Sequence, residues 1–327
     1  MRTNLVIDGN YLLSKDVFIL FNMKTLYSDL GQLLRNDLEK LIRLHPFNDV
    51  YFVSDSKYRW RKNFYATYKE SRKHDDKIDW DAVYEIYDNF KEEVRNKPNA
   101  HLCEVKWAEG DDLVAYVVNE GNKKGISNLI IASDSDLHQL LRFDLGKEYI
   151  NIAYNYRFSD EKTYYPENYS IFVDHISTTT TSSLFDMNED VDFLQLIDGF
   201  DIKTKTVEVS SEELLFTKMV SGDKKDSIPS AYQSLTKTGK VRGIGKAGGL
   251  TIYKLFKETN NETIDFDSEE FINAATDIVC FSKKVTDDSI YTTVKENMIR
   301  NRKLLILTDK YIPTELYDEF KENIKIL

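Results

Sequence analysis

The chain places carboxylates where strands should end. Asp8 follows Asn4–Leu5–Val6–Ile7, Asp55 follows Val50–Tyr51–Phe52–Val53–Ser54, and Asp134 with Asp136 follows Leu129–Ile130–Ile131–Ala132–Ser133. Glu109, Asp111 and Asp112 stand in Trp107–Ala108–Glu109–Gly110–Asp111–Asp112, directly before the apolar helical pattern Leu113, Val114, Tyr116, Val117 and Val118. Asp223 and Asp226, in Gly222–Asp223–Lys224–Lys225–Asp226, complete the set. In an open parallel sheet the carboxyl ends of the strands converge on one crevice, so residues far apart in sequence meet there. So many carboxylates cannot stay ionised side by side without positive charge among them. Two hard divalent cations such as Mg²⁺ would supply it, because they take oxygen ligands and keep places for water and phosphate. The chemistry implied is two-metal hydrolysis of a phosphodiester. A helix start would also account for the acids at 109–112, since they answer the helix dipole. Asp112 is therefore open between a metal role and a helix cap, and Asp226 between a ligand and a cap for the turn at Ser227.

Alternating strands and helices must position these residues. Leu5–Asp8 reads as a buried strand. Apolar residues at helical spacing from Leu26 to Ile42 predict a long helix over 23–45, and Val50–Ser54 is the next strand. An amphipathic helix is expected over Asp79–Arg95, then a short strand at Leu102–Val105 and the helix that opens at the acidic stretch. Asn119–Glu120–Gly121–Asn122 stops that helix. Asn128–Ala132 reads as a fourth strand, with a helix over Leu137–Arg142 beyond it. The pattern from Lys147 to Ser210 is β-like and irregular, suggesting hairpins and a long exposed loop with a Ser/Thr run at 177–183. Helical character returns at Glu212–Val220. After Ile228–Pro229–Ser230 comes the glycine-rich stretch Val241–Leu250, and several short helices are expected over 268–327. Two domains follow, 1–210 and 211–327, the first of α/β class with a mostly parallel sheet.

The composition, 41% hydrophobic and 30% charged, is that of a soluble globular protein. No apolar run approaches the ~20 residues of a membrane span and no signal-peptide core opens the chain, so no membrane and an intracellular place are expected. Two cysteines among apolar neighbours read as buried thiols. Five histidines without metal spacing argue against a zinc site. The net charge of −11 speaks against a nucleic-acid partner only until local charge is read. Between Lys57 and Lys77 eight Lys or Arg stand against three acids, interleaved with Tyr58, Trp60, Phe64, Tyr65 and Tyr68. Cations neutralise phosphates and aromatics stack on unpaired bases. Arg61, Lys62, Lys69 and Arg72 are the candidate phosphate contacts, and Tyr68 the candidate stacking residue.

Taken in order, Ile7–Asp8–Gly9–Asn10, Ser54–Asp55, Trp60–Arg61–Lys62 to Tyr68–Lys69, Glu109–Gly110–Asp111–Asp112, Ser133–Asp134–Ser135–Asp136, Gly222–Asp223–Lys224–Lys225–Asp226 and Gly243–Ile244–Gly245 resemble the structure-specific 5′ nuclease family. That family comprises flap endonucleases, the 5′-exonuclease domains of bacterial polymerases and phage 5′ nucleases. The likeness is nearest to the phage-encoded RNase H branch, which removes RNA primers during replication. The resemblance implies a PIN-like (Rossmann-like) sheet flanked by helices, a helical arch at about 56–95, and a smaller helical C-terminal domain with a helix-hairpin-helix.

By the same resemblance one metal falls to Asp8, Asp55, Asp111 and Asp134, with Glu109 contacting its waters, and a second to Asp136, Asp223 and Asp226. The ions would be Mg²⁺, with Mn²⁺ able to substitute. Lys69 and Arg72 match cationic residues near the scissile phosphate. Gly243, Gly245 and Lys246 would hold duplex, with a monovalent cation. The implied substrates are RNA–DNA hybrids, flaps and nicked duplex DNA. The implied setting is the host cytoplasm, with a monomer working beside replication proteins such as a single-strand-binding protein or a sliding clamp. Two departures stand out: Ser230–Lys240 lengthens the approach to the glycine hairpin, and Tyr149–Ser210 is longer than in the phage relatives. A PIN-type single-strand ribonuclease would share the acidic edge but lack Gly243–Ile244–Gly245. A non-catalytic DNA-binding protein would have lost carboxylates that this chain keeps.

Overall fold

Seven strands form one continuous path, in the spatial order Ala100–Cys103, Val50–Val53, Thr3–Asp8, Ser127–Ile131, Tyr149–Asn155, Lys162–Pro166 and Lys205–Val209. The computed structural model describes residues 2–72, 75–156, 161–182, 205–260 and 264–326, the side chains of 177–182 excepted. The strands are β1 (Thr3–Asp8), β2 (Val50–Val53), β3 (Ala100–Cys103), β4 (Ser127–Ile131), β5 (Phe143–Asp144), β6 (Tyr149–Asn155), β7 (Lys162–Pro166) and β8 (Lys205–Val209). The pairs β1 with β2, β1 with β4, β2 with β3, β4 with β6 and β7 with β8 are parallel. The pairs of β6 with β5 and β7 are antiparallel. The central sheet is thus mostly parallel. On one side of β1 the chain moves outward through β2 and β3, on the other through β4 and β6, so the strand order reverses at β1/β4. That is where an open sheet leaves a crevice at its carboxyl ends.

The chain divides into two compact units. One comprises Met1–Trp60, His74–Val209 and Thr308–Leu327, the other Arg61–Lys73 and Ser210–Leu307. This departs from the 1–210 and 211–327 division at both ends. The last helix, Thr314–Asn323, belongs to the first unit because Tyr317 and Phe320 each pack a ring 5.7 Å from that of Tyr116. Tyr51 and Tyr116 also donate their hydroxyls to the carbonyls of Lys325 and Ile324.

In the first unit α1 (Gly9–Met23), α2 (Leu26–Ile42) and α4 (Trp80–Arg95) share one core with Leu5, Ile7, Phe52, Leu129 and Ile131. Alternation along the strands leaves Val6, Tyr51, Val53 and Ile130 for the opposite face. All four are buried, and α5 (Gly110–Lys123) covers that face through Leu113, Val114, Val117 and Val118. A sheet covered on both faces explains why its strands read as continuous apolar runs.

Three expectations change. Helix α1 was not anticipated, and the helix expected over 23–45 ends at Ile42 and is preceded by Lys24 in the left-handed region. The region after 147 contains a helix, α6 (Tyr169–Ser182), which takes in most of the Ser/Thr run. The long loop expected there falls largely on 183–204, outside the described residues. In place of the helix expected over Leu137–Arg142 stands a 3-10 turn, Ser135–Leu140, after which the chain is extended at Leu141.

The second unit is helical: α7 (Ser211–Ser221), α8 (Lys246–Thr259), α9 (Glu269–Lys283) and α10 (Asp288–Leu305). Phe216, Phe256 and Phe271 meet ring to ring in its core, with centroids 4.9–6.1 Å apart. A two-stranded ribbon, β9 (Gln233–Leu235) with β10 (Val241–Gly243), precedes α8. Cys103 and Cys280 are free thiols and buried. Among the described residues no helix is long and apolar enough to cross a membrane.

Candidate active site

Asp8, Asp55 and Asp134 stand at the carboxyl ends of three adjacent parallel strands, β1, β2 and β4. Each has one oxygen fixed by a backbone N–H. Asp8 caps α1, accepting Tyr11 N at 3.0 Å on Oδ1. Asp55 Oδ1 accepts Gly110 N at 2.5 Å. Asp134 caps the 3-10 turn, accepting Asp136 N at 3.0 Å. A capping aspartate normally satisfies one orphan donor of its helix. Here the caps also orient three carboxylates at one edge.

Their charges interact. Burial, followed by the charges of Asp55 and Asp134, pushes the Asp8 carboxyl up to about 7, and the N–H groups of Tyr11 and Asn10 only partly oppose this. Asp8 keeps partial access to solvent, so the crowding of protein atoms around it matters more than complete enclosure. No cation pairs with Asp8, Asp55 or Asp134 among the described residues. His138, on the turn after Asp134, does not supply one: burial holds its imidazole down to about 4, with the Asp134 charge opposing, so it is neutral at pH 7.

Around α5 the acids differ in role. Glu109 is buried and faces Arg59 Nε at 3.6 Å. Asp112 is also buried: its Oδ2 accepts the indole N–H of Trp60 at 2.8 Å and the Glu109 backbone N–H at 3.4 Å, which is the place of a cap. Asp111 lies half-buried in the first turn and Asp136 half-buried in the 3-10 turn. Gly110 allows the approach of α5 to β2, since a Cβ there would lie 2.8 Å from Asp55 Oδ1.

The donor set fits a divalent ion in kind. It consists of hard carboxylate oxygens, mutually repelling, with no cation paired with the three strand-end acids among the described residues. As they stand, no three carboxylate, imidazole or thiol groups among the described residues close into a coordination shell. Like charges keep apart where nothing positive lies between them.

In the second unit Asp223 and Asp226 are already neutralised. Against the cost of burial, Lys218 at 3.2 Å and the N–H groups of Lys225 and Asp226 hold Asp223 below the usual carboxylate range. Asp226 meets Arg72 at 2.5 Å, Lys69 Nζ at 3.8 Å and the Tyr68 hydroxyl at 3.3 Å. The loop itself requires Gly222, whose φ is +69° and where a Cβ would lie 2.3 Å from the Ile228 carbonyl oxygen.

The basic stretch does not present one open cationic face. Arg61 is buried and donates through Nε to the Leu304 carbonyl at 3.0 Å. Tyr68 packs with Ile228, Leu304 and Leu305, so its ring is a core contact rather than an open stacking face. Lys69 is buried on Asp226, while Lys62 and Arg72 are exposed. Of the arch expected at 56–95, the described part is the five-residue α3 (Trp60–Phe64), turns, and α4. Gly245 caps α8, with open space where a Cβ would stand, and Lys246 follows it exposed. Gly243 closes the ribbon against Ser230.

Sequence reasoning missed Asn10, Trp60 as a partner of Asp112, and Arg59 as the partner of Glu109. Asn10 Oδ1 accepts Asp55 N at 3.1 Å, tying the start of α1 to the end of β2.

The sequence profile of the 5′-3′ exonuclease N-terminal resolvase-like domain matches residues 3–169, which hold the seven candidate site carboxylates of the first unit. The chain belongs to the 5′-3′ exonuclease family. Among solved structures this family member is similar to the bacteriophage T5 5′-exonuclease with bound zinc, at 14% identity and a TM-score of 0.60, covering 98% of this chain and 97% of that one. It is also similar to a bacteriophage T5 flap endonuclease in a pseudo-enzyme–product complex with DNA and metal ions, at 13% identity and a TM-score of 0.58, with the same coverage. At such identities the likeness establishes the fold. No curated protein matches the chain in sequence.

Proposed function

We propose that this family member is a Mg²⁺-dependent 5′ nuclease that hydrolyses phosphodiester bonds in RNA–DNA hybrids, flaps and nicked duplex DNA, and so removes primers during replication. The observation that carries this reading is the trio Asp8, Asp55 and Asp134 at the reversal of strand order, with Asp8 pushed up by burial and then by the other two charges, and no cation paired with the trio among the described residues. The T5 relatives, one with zinc and one with DNA and metal ions, support a divalent-metal nuclease.

Asp8, Asp55, Asp111 and Asp134 would hold one ion, with Glu109 acting through water. Asp136 would serve a second, to which the resemblance also assigns Asp223 and Asp226. Bound ions of this kind make hydroxide available near neutral pH and stabilise charge on the attacking and leaving oxygens. The chain's own residues prepare the site. Tyr11 N–H and Gly110 N–H fix one oxygen of Asp8 and of Asp55, Arg59 steadies Glu109, and Asp112 with Trp60 holds the start of α5. In this reading Lys62 and Arg72, both exposed, meet phosphate, and the exposed start of α8 at Gly245–Lys246 offers N–H groups to a duplex backbone.

The test is cleavage of a 5′-labelled RNA–DNA hybrid and a matched DNA flap, with Mg²⁺ or with EDTA. Short 5′ products only with metal are expected, and Asp134→Asn should abolish them while its thermal unfolding stays wild-type-like. Near wild-type turnover by that variant would sink the assignment.

A further inference from the structure

Ser230–Lys240 is the stretch that neither the carboxylate edge nor the glycine hairpin explains. It contains β9 and the turn that leads into β10, the two strands pairing with Leu235 opposite Val241, Ser234 opposite Arg242 and Gln233 opposite Gly243. Thr236 closes the turn, its N–H donating to the Lys240 carbonyl at 2.8 Å and its Oγ1 accepting Lys240 N at 3.0 Å.

No third strand extends this two-stranded ribbon among the described residues. This ribbon presents its apolar pair outward: Leu235 is 73% and Val241 62% exposed, directly across from one another. Cations surround the pair. From Ser227 to Lys257 the sequence contains Lys237, Lys240, Arg242, Lys246, Lys254 and Lys257 and no acidic residue, in a chain of net charge −11. Lys237, Lys240 and Arg242 are exposed and form no ion pair among the described residues. Behind them lies an open groove of about 450 Å³ lined in part by Tyr232, Arg242, Gly243, Gly245 and Lys283.

We infer that this ribbon is a nucleic-acid arm that lies along the duplex part of the substrate. Lys237, Lys240 and Arg242 meet backbone phosphates, and Leu235 and Val241 enter the groove against sugar and base edges. A two-stranded ribbon is of a size that a DNA major groove admits. The apolar pair offers neither donor nor acceptor, so the contact reads shape rather than sequence. The all-cationic rim selects a polyanion over a general protein surface. The inference rests on the nuclease reading for the identity of the duplex, but its test does not depend on cleavage.

The test measures equilibrium binding of the full chain to a labelled duplex of roughly two helical turns, in EDTA, across a series of salt concentrations. Lys237→Ala/Lys240→Ala/Arg242→Ala should weaken binding by about 10–100-fold and lower the salt slope by roughly three, one for each lost phosphate contact. Leu235→Ser/Val241→Ser should weaken binding by about tenfold with the slope unchanged, because no counterion is involved. Should the triple variant fail to fold, Lys240→Ala alone reads the slope, with an expected change of about one.

Affinity within about twofold of wild type, with an unchanged slope, in both multiple variants would overturn the inference. So would unchanged duplex affinity with lost self-association by light scattering, which would make the ribbon a contact between copies. A wild-type chain that binds duplex through the ribbon yet cleaves nothing in Mg²⁺ would remove the nuclease reading and leave the arm. Cleavage by wild type with ribbon-independent binding would do the reverse.

Discussion

Gly110 donates its backbone N–H to Asp55 Oδ1 at 2.5 Å, so the first turn of α5 and the end of β2 fix each other. A Cβ on Gly110 would press on that same oxygen. Alanine is otherwise the better helix former by about 1 kcal/mol. Gly110→Ala should therefore leave Tm near wild type or raise it, while metal-dependent cleavage falls by about 10–100-fold through a displaced carboxylate. Thermal unfolding and single-turnover cleavage on the same preparation separate the two effects. Wild-type cleavage by this variant would show that Asp55 need not sit where Gly110 holds it.

Asp8 links function to stability through pH. Its carboxyl is pushed from 3.8 up to about 7, chiefly by burial and then by Asp55 and Asp134. Between those two values the folded chain keeps a proton that the unfolded chain has released. Stability without metal therefore falls as pH rises through this window, and the cost is fully present above it. Asp8→Asn retains a cap for Tyr11 and removes the charge. In EDTA it should be more stable than wild type by on the order of 2 kcal/mol at about pH 8, a figure discounted for the partial solvent access of Asp8, and little different at about pH 4. Mg²⁺ should then raise the Tm of wild type more than that of the variant. Calorimetry at the two pH values, with and without Mg²⁺, checks this, and a variant less stable than wild type at the higher pH would contradict it.

The strand-end acids were legible because each closes a short apolar run, a pattern that a buried parallel strand produces and little else in this chain does. Helix α1 was not, for the opposite reason: Tyr11, Leu12, Leu13, Val17, Phe18, Ile19, Leu20 and Phe21 surround its axis almost evenly, so no helical period emerges. Residues 61–73 read as one basic face because composition cannot tell an inward side chain from an outward one. The structure turns Arg61, Tyr68 and Lys69 inward and leaves Lys62 outside. What decides their direction is Asp226 and Leu304, more than 150 residues away in sequence. The pairing of Trp60 with Asp112 was hidden in the same way, and it tilts the acid that sequence left open toward its capping role.

Asp226 shows how far that distance matters. It gathers Arg72, Lys69 and the Tyr68 hydroxyl, and the Lys69 side chain is only 5% exposed. Removing the carboxylate charge takes an ion-pair partner from a buried ammonium, which costs about 3–5 kcal/mol where water cannot reach and less where it can. Asp226→Asn should accordingly lower stability by about 2–4 kcal/mol in EDTA, where no metal contributes. Adding Lys69→Met to the same chain should recover part of the loss, since the buried ammonium that faced the carboxylate is gone too. If Asp226 acts chiefly as a metal ligand, the single variant would instead unfold like wild type in EDTA and lose only the rise in Tm that Mg²⁺ brings. The two roles therefore separate on chemical denaturation with and without metal, before any cleavage is measured.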